Sequence, residues 1–287
     1  MEEEYPIQPQ FLKFCSNDDF GSAEWDADIG GLEICPPHEP KLEEPIRPSR
    51  LQWKAFWQLL EHADVWKWEP AYAPEDALPC DGHHWSLVIS RDGRYINTCG
   101  YGTYPSTPEN NIEAGSPYDV LRTAMDMLTS RYHDSSMGSD DKPSAGPDSF
   151  EFTLWSEAYA DLGIRLRWLR DKASLQWRPG ISKGTAWTTL AKPSPITWKA
   201  FCLLLDRAKV ENWRTEYASV TTAHAGWGFE ASINGRQIKT SGGDTYPNSE
   251  EGKDYLPGSP FDILLTALGL LAGKEILRLR ISDEETG

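Results

Sequence analysis

The sequence predicts an α+β protein made of two tandem α-β-β-α-β pseudo-repeats packed on antiparallel sheet. Three observations lead there: the chain aligns with itself, each copy switches between helical and strand periodicity, and the composition is that of a packed domain. Of 287 residues, 39% are hydrophobic and 13 are Trp. That is too apolar and aromatic for a disordered chain.

Ser49 to Tyr72 aligns with Ser194 to Tyr217 without a gap, Trp85 to Pro105 with Trp227 to Pro247, and Ser116 to Leu128 with Ser259 to Leu271. The offset changes by only a few residues between blocks, which places the length differences in loops. Trp53, Phe56, Leu59, Leu60 and Ala63 recur at helical spacing, as do Trp198, Phe201, Leu204, Leu205 and Ala208, so each copy opens with an amphipathic helix. Ser49 with Gln52 forms a capping box, and Ser194 with Pro195 is an N-cap followed by proline at the first helical position.

Trp85, Leu87 and Ile89 alternate with polar residues up to Asp92-Gly93, as Trp227, Phe229, Ala231 and Ile233 do up to Asn234-Gly235. Both runs predict hairpins. The return strands enter GYGTYP (Gly100 to Pro105) and GGDTYP (Gly242 to Pro247), where glycines and a proline end the ladder. Ser116-Pro117-Tyr118-Asp119 and Ser259-Pro260-Phe261-Asp262 then start a second helix. Phe150, Phe152 and Leu154, and later Leu277, Leu279 and Ile281, alternate with polar residues and close each unit on a strand.

The expected organisation is an acidic N-terminal segment with short strands (1–44), a first repeat (45–155) containing a Gly, Ser, Pro and Asp-rich flexible loop (132–149), and a second repeat with preceding short strands (156–287). Those strands are expected at Ile164 to Leu169, Ser174 to Trp177 and Thr185 to Leu190, with Leu32 to Cys35 matching the last of them.

The formal charge is −16, and residues 1–44 hold twelve acids against Lys13 and Lys41. Such a balance disfavours direct nucleic-acid or anionic-membrane binding and suits a basic protein partner. No apolar run approaches a membrane span and the N-terminus lacks the features of a signal peptide, so a cytoplasmic location is expected. The five cysteines are scattered and not shared between copies, which reads as free thiols.

No cofactor or nucleophile motif appears. Cys80-Asp81-Gly82-His83-His84 is the only cluster with metal-ligand residue types, but adjacent histidines in a loop seldom face one ion, so it reads as a solvated loop. The two glycine, tyrosine, proline strings occupy the same joint in both copies, which assigns them to scaffold. Trp57 and Trp66 differ, because their counterparts are Cys202 and Glu211. A tryptophan present in one copy only suggests an interface.

The pattern W-K-x-F-x-x-L-L (Trp53 to Leu60), Trp68, Tyr72, D-G-x-x-W-S-L (Asp81 to Leu87) and G-x-x-x-Y-P (Gly100 to Pro105) resembles a module of uncharacterised bacterial proteins. The resemblance covers about 80 residues of the first copy and departs in the second, where Asp81-Gly82 becomes Ala223-His224. It implies a bacterial or phage origin and carries no activity with it. The expected function is binding without chemistry: an immunity protein or antitoxin-like inhibitor covering a basic toxin or nuclease, with Trp57, Trp66, Asp18, Asp19, Glu24, Asp26 and Asp28 as contacts. The alternatives are a phage-defence or anti-defence component that binds a protein or mimics nucleic acid, and an enzyme using the Cys80 to His84 loop or the cleft between the copies.

Overall fold

In the computed structural model the chain forms two compact units, 1–133 and 134–287. The structure describes residues 7–17, 20–38, 40–73, 83–106, 112–129, 147–156, 163–169, 174–179, 185–190, 192–217, 225–233, 235–243, 245–247, 256–274 and 276. Each unit is an α+β two-layer arrangement: one face of a sheet carries two helices, and the opposite face is open.

In the first unit the elements run β1 (Phe11–Ser16), β2 (Gly21–Asp26), β3 (Gly31–Cys35), α1 (Arg50–His62), β4 (Ala71–Tyr72), β5 (His84–Arg91), β6 (Arg94–Tyr101) and α2 (Pro117–Thr129). The sheet order is β3-β2-β1-β5-β6-β4. The second unit repeats this series as β7 (Ser149–Ser156), β8 (Ile164–Leu169), β9 (Ser174–Pro179), β10 (Thr188–Thr189), α3 (Pro195–Ala208), β11 (Glu216–Tyr217), β12 (Ala225–Ile233), β13 (Arg236–Gly243) and α4 (Pro260–Ala272). Its order is β10-β9-β8-β7-β12-β13-β11.

The helix caps form as their sequences require. Ser49 and Gln52 exchange the two bonds of a capping box, with Gln52 N donating to Ser49 Oγ (3.2 Å) and Ser49 N to Gln52 Oε1 (2.9 Å). Ser194 and Ser259 cap α3 and α4 ahead of their prolines. Leu12, Phe14, Trp85, Leu87 and Ile89 turn to the helical layer and are buried, because alternate residues of a strand share a face. Against them pack Trp53 of α1, 5.3 Å from Trp25, and Tyr118 of α2, 5.1 Å from Trp85. In the second unit Phe150 and Trp168 meet Trp198 and Phe201 of α3, and Trp227 meets Phe261 of α4.

The glycine, tyrosine, proline strings lock strand to helix. The Trp85 indole crosses β6 over Gly100 and its Nε1 donates to Thr103 O (3.0 Å), as Trp227 does over Gly242 to Thr245 O (2.9 Å). A Cβ at Gly100 would lie 2.1 Å from the indole nitrogen, and one at Gly242 would lie 2.6 Å from it. Glycine is required by this close approach. Tyr104 then packs its ring, tilted, against Tyr118 at 4.6 Å and Tyr246 does so against Phe261 at 4.7 Å.

Several expectations are corrected by the sheet topology. The strand at Phe150 to Leu154 does not close the first repeat: β7 lies between β8 and β12 in the second sheet. Its counterpart is β1, which lies between β2 and β5. Residues 1–44 are therefore not a separate segment, since 11–35 supply three of the six strands of the first sheet. The repeating order is a three-stranded meander, a helix, a short edge strand, a hairpin and a helix. Leu32 to Cys35 corresponds to β9, while β10 is matched by the isolated bridge of Leu32 with Ile46. The sheets are antiparallel except at β4–β6 and β11–β13, which are parallel, because the chain leaves each first helix along the far edge of its hairpin. The strand expected at Leu277 to Ile281 and most of the loop 132–149 lie outside the described residues.

Two outcomes test this architecture. Gly100→Ala should cost about 1–3 kcal/mol by overpacking, whereas Gly228→Ala, whose Cβ would meet nothing within 4 Å, should leave the urea midpoint nearly unchanged. A chain starting at residue 134 should show a cooperative thermal transition by circular dichroism, and one starting at 157, which lacks β7, should not.

Candidate functional site

Duplication allows the scaffold to be separated from what has diverged on it. The buried polar network repeats bond for bond. Trp68 and Trp213 donate to Ala63 O and Ala208 O, Thr98 and Thr240 to Glu69 O and Arg214 O, and Tyr72 and Tyr217 hydroxyls accept Glu69 N and Arg214 N. Asp119 and Asp262 accept Gly115 N and Gly258 N, each at 2.8 Å. Buried polar groups must be paired, and identical pairing in both copies assigns these residues to folding.

The open faces share almost nothing. On the first sheet that face carries Phe11, Lys13 and Cys15 of β1, Glu24 of β2, Glu33 of β3, His84 and Val88 of β5, and Tyr95, Asn97 and Tyr101 of β6. Tyr95 is 63% exposed, Tyr101 41% and Phe11 37%, and His84 meets Tyr101 edge-on at 4.6 Å. At the places of His84 and Tyr101 the second sheet has Gly226 and Gly243, and the Trp155 indole lies across Gly226. At the places of Glu24 and Glu33 it has Arg167 and Gln176.

The expected contact residues are divided by the structure. Glu24 lies on the first open face and pairs with Lys13 at 2.9 Å, which raises the Lys13 pKa through that bond. Exposed pairs of this kind contribute little to stability. Asp26 Oδ1 accepts Asp28 N and Ile29 N (2.8 and 3.0 Å) and shapes the β2–β3 turn, leaving Asp28 exposed beside it. Asp18, Asp19 and residues 80–82 lie outside the described residues.

Trp57 is a correction. It is 5% exposed, its Nε1 donates to Ile7 O (2.6 Å), and the Arg91 guanidinium covers its ring at 4.5 Å. A buried indole cannot serve as a surface anchor. Trp66 is half-buried: its Nε1 donates to Glu61 Oε1 (2.8 Å), which also takes Arg94 (2.7 Å), and Arg94 lies 4.4 Å from the ring. Both tryptophans are thus tied to arginines at the β5–β6 hairpin tip: Arg91 is replaced by Ile233 in the second copy, as Trp57 is by Cys202, whereas Arg94 is kept there as Arg236. Both belong to the helical side, away from the open face.

The residues missed by sequence are Phe11, Tyr95 and Tyr101, while His84, read there as part of a solvated loop, begins strand β5. Their signal is a set of aromatic or imidazole side chains at the outward positions of strands, Tyr95 against Gln237 and Tyr101 against Gly243 in the second copy. Among the described residues no group of three or more His, Cys, Asp and Glu side chains could hold a metal ion. Among them, too, no helix is long and apolar enough to cross a membrane. The chain matches no family model, no curated protein and no solved structure.

Where the first copy has Trp57 the second has Cys202, whose thiol is pushed up to about 11 by burial and then by the charge of Asp206. A raised thiol pKa means the folded state favours the neutral form. Its contribution holds below the unfolded thiol value and is lost as pH rises towards 11. At pH 8, iodoacetamide should label exposed Cys35 at least about tenfold faster than Cys202, as read by peptide mass spectrometry.

Proposed function

We propose that this chain is a non-catalytic protein-binding inhibitor, a bacterial immunity protein that neutralises a basic toxin or nuclease through the open face of its first sheet. The observation that supports this reading is the exposed set Tyr95, Tyr101 and Phe11 on a sheet face flanked by Glu24, Glu33 and the Asp26 to Asp28 turn. Tyrosine suits such a role because it supplies a large contact area at low entropic cost and keeps a polar tip for hydrogen bonding. The acids of β2 and β3 favour encounter with a basic surface, and their pairing with Lys13 and Lys41 (2.9 and 2.6 Å) is exchanged for the partner's arginines and lysines. Long-range attraction from the net charge of −16 speeds association and is screened by salt.

The test is affinity capture with the full chain at low and moderate salt, alongside a Tyr95→Ala/Tyr101→Ala double variant. Capture of one basic protein, weakened by salt and reduced about thirtyfold or more in the double variant with an unchanged melting temperature, is the expected result. Equal capture by both chains would remove the first open face from the reading. A deletion of residues 1–44 is unsuitable, since it takes away half of the first sheet.

A further inference from the structure

The open face of the second sheet is richer in cations: Arg167 stands at the place of Glu24, and Arg165 and Arg178 at those of Ser22 and Cys35. Arg165 and Arg178 face each other across β8 and β9, and Arg167 lies two residues along β8 opposite Gln176. Trp187, just before β10, lies over this cluster with its ring 3.8 Å from the Arg167 guanidinium carbon and 4.8 Å from that of Arg178. Glu151 pairs with Arg165 at 2.8 Å and Glu230 with Lys239 at 2.6 Å. Three arginines and a lysine therefore stand against two carboxylates in a chain that is otherwise strongly acidic.

The cluster is also short of acceptors. Arg178 is 8% exposed, and its Nε, like that of Arg165, is buried with no hydrogen-bond partner among the described residues. Leaving a donor of a charged group unpaired is costly. Arg167 spends its Nε and Nη2 on Gln176 Oε1 (3.0 and 2.8 Å), which holds its plane against Trp187. The arrangement is a fixed row of guanidinium groups in which Arg178 lies buried beneath Trp187 and Arg165 and Arg167 are the half-exposed members.

We propose that this face binds an acidic polypeptide segment lying extended along β8, its carboxylates taken by the half-exposed Arg165 and Arg167 with Trp187 as the apolar wall. The spacing suits that ligand. Arg165 and Arg167 are about 7 Å apart along one strand, the interval between alternate side chains of an extended peptide. Guanidinium groups take carboxylates in a planar, two-pronged geometry. A nucleic acid is the poorer fit, since it needs a positive field along its length and since Arg167 already occupies one face of the indole.

The probe is a labelled peptide of ten glutamates, titrated into the full chain by fluorescence anisotropy at low salt, with a ten-glutamine peptide and a single-stranded oligonucleotide of ten thymidines for comparison. Binding of the glutamate peptide alone is expected, reduced tenfold or more in Arg165→Gln/Arg167→Gln. It should be unchanged in Lys67→Gln and in Tyr95→Ala/Tyr101→Ala, which separates this face from the first. Should removal of the two arginines disturb folding, Trp187→Ala supplies a second variant, expected to weaken the peptide at an unchanged melting temperature. The proposal is overturned if the glutamate peptide fails to bind, if both face variants bind it like the parent chain, or if the oligonucleotide binds more tightly.

Discussion

Each unit depends on one interaction: a tryptophan indole that crosses the neighbouring strand over a glycine and donates its N–H to a carbonyl beyond the strand end. Trp85 and Trp227 each sit at the meeting point of sheet, second helix and edge strand, touching Trp68, Tyr72 and Tyr118 in one unit and Trp213, Tyr217 and Phe261 in the other. An indole buried there needs both an apolar shell and an acceptor. The bend after Gly100 or Gly242 supplies the acceptor, and the helix starting at Pro117 or Pro260 supplies the shell.

With that junction satisfied inside the helical layer, the opposite sheet face is released from folding duties. This accounts for the contrast between the two layers. Inside, polar pairs repeat at nearly the same distances in both copies; outside, His84 and Tyr101 are matched by Gly226 and Gly243, Glu24 by Arg167 and Glu33 by Gln176. A duplicated domain that keeps its core and changes its surface can present two chemistries on one scaffold. The acidic, tyrosine-bearing face and the arginine-bearing face are the two presented here.

Much of the local architecture was legible. The capping serines, the Asp92-Gly93 turn and the hairpin alternation depend on neighbours within a few residues, and all appear where their patterns place them. The scaffold role of the Gly100 and Gly242 strings was legible as well, because a motif repeated at one joint of both copies is more simply explained by geometry than by chemistry. Trp57 shows the limit. Its absence from the second copy marks divergence in sequence, but divergence is equally produced by a compensating pair, here Trp57 with Arg91, which lie 34 residues apart in the chain.

Strand pairing was the other limit. Phe150, Phe152 and Leu154 alternate as any half-buried strand does, and alternation does not say which sheet receives the strand. That choice was made by the tertiary structure, through burial of Phe150 against Trp198 and Phe201 and through pairing on both sides with β8 and β12. The sequence by itself determined the elements, their caps and turns, and the fact of duplication, because these follow from contacts local in the chain. Which strands share a sheet, which face stays open, and which side chains meet on it were decided only by long-range packing, since the period of a strand assigns a residue to a face but not to a neighbour.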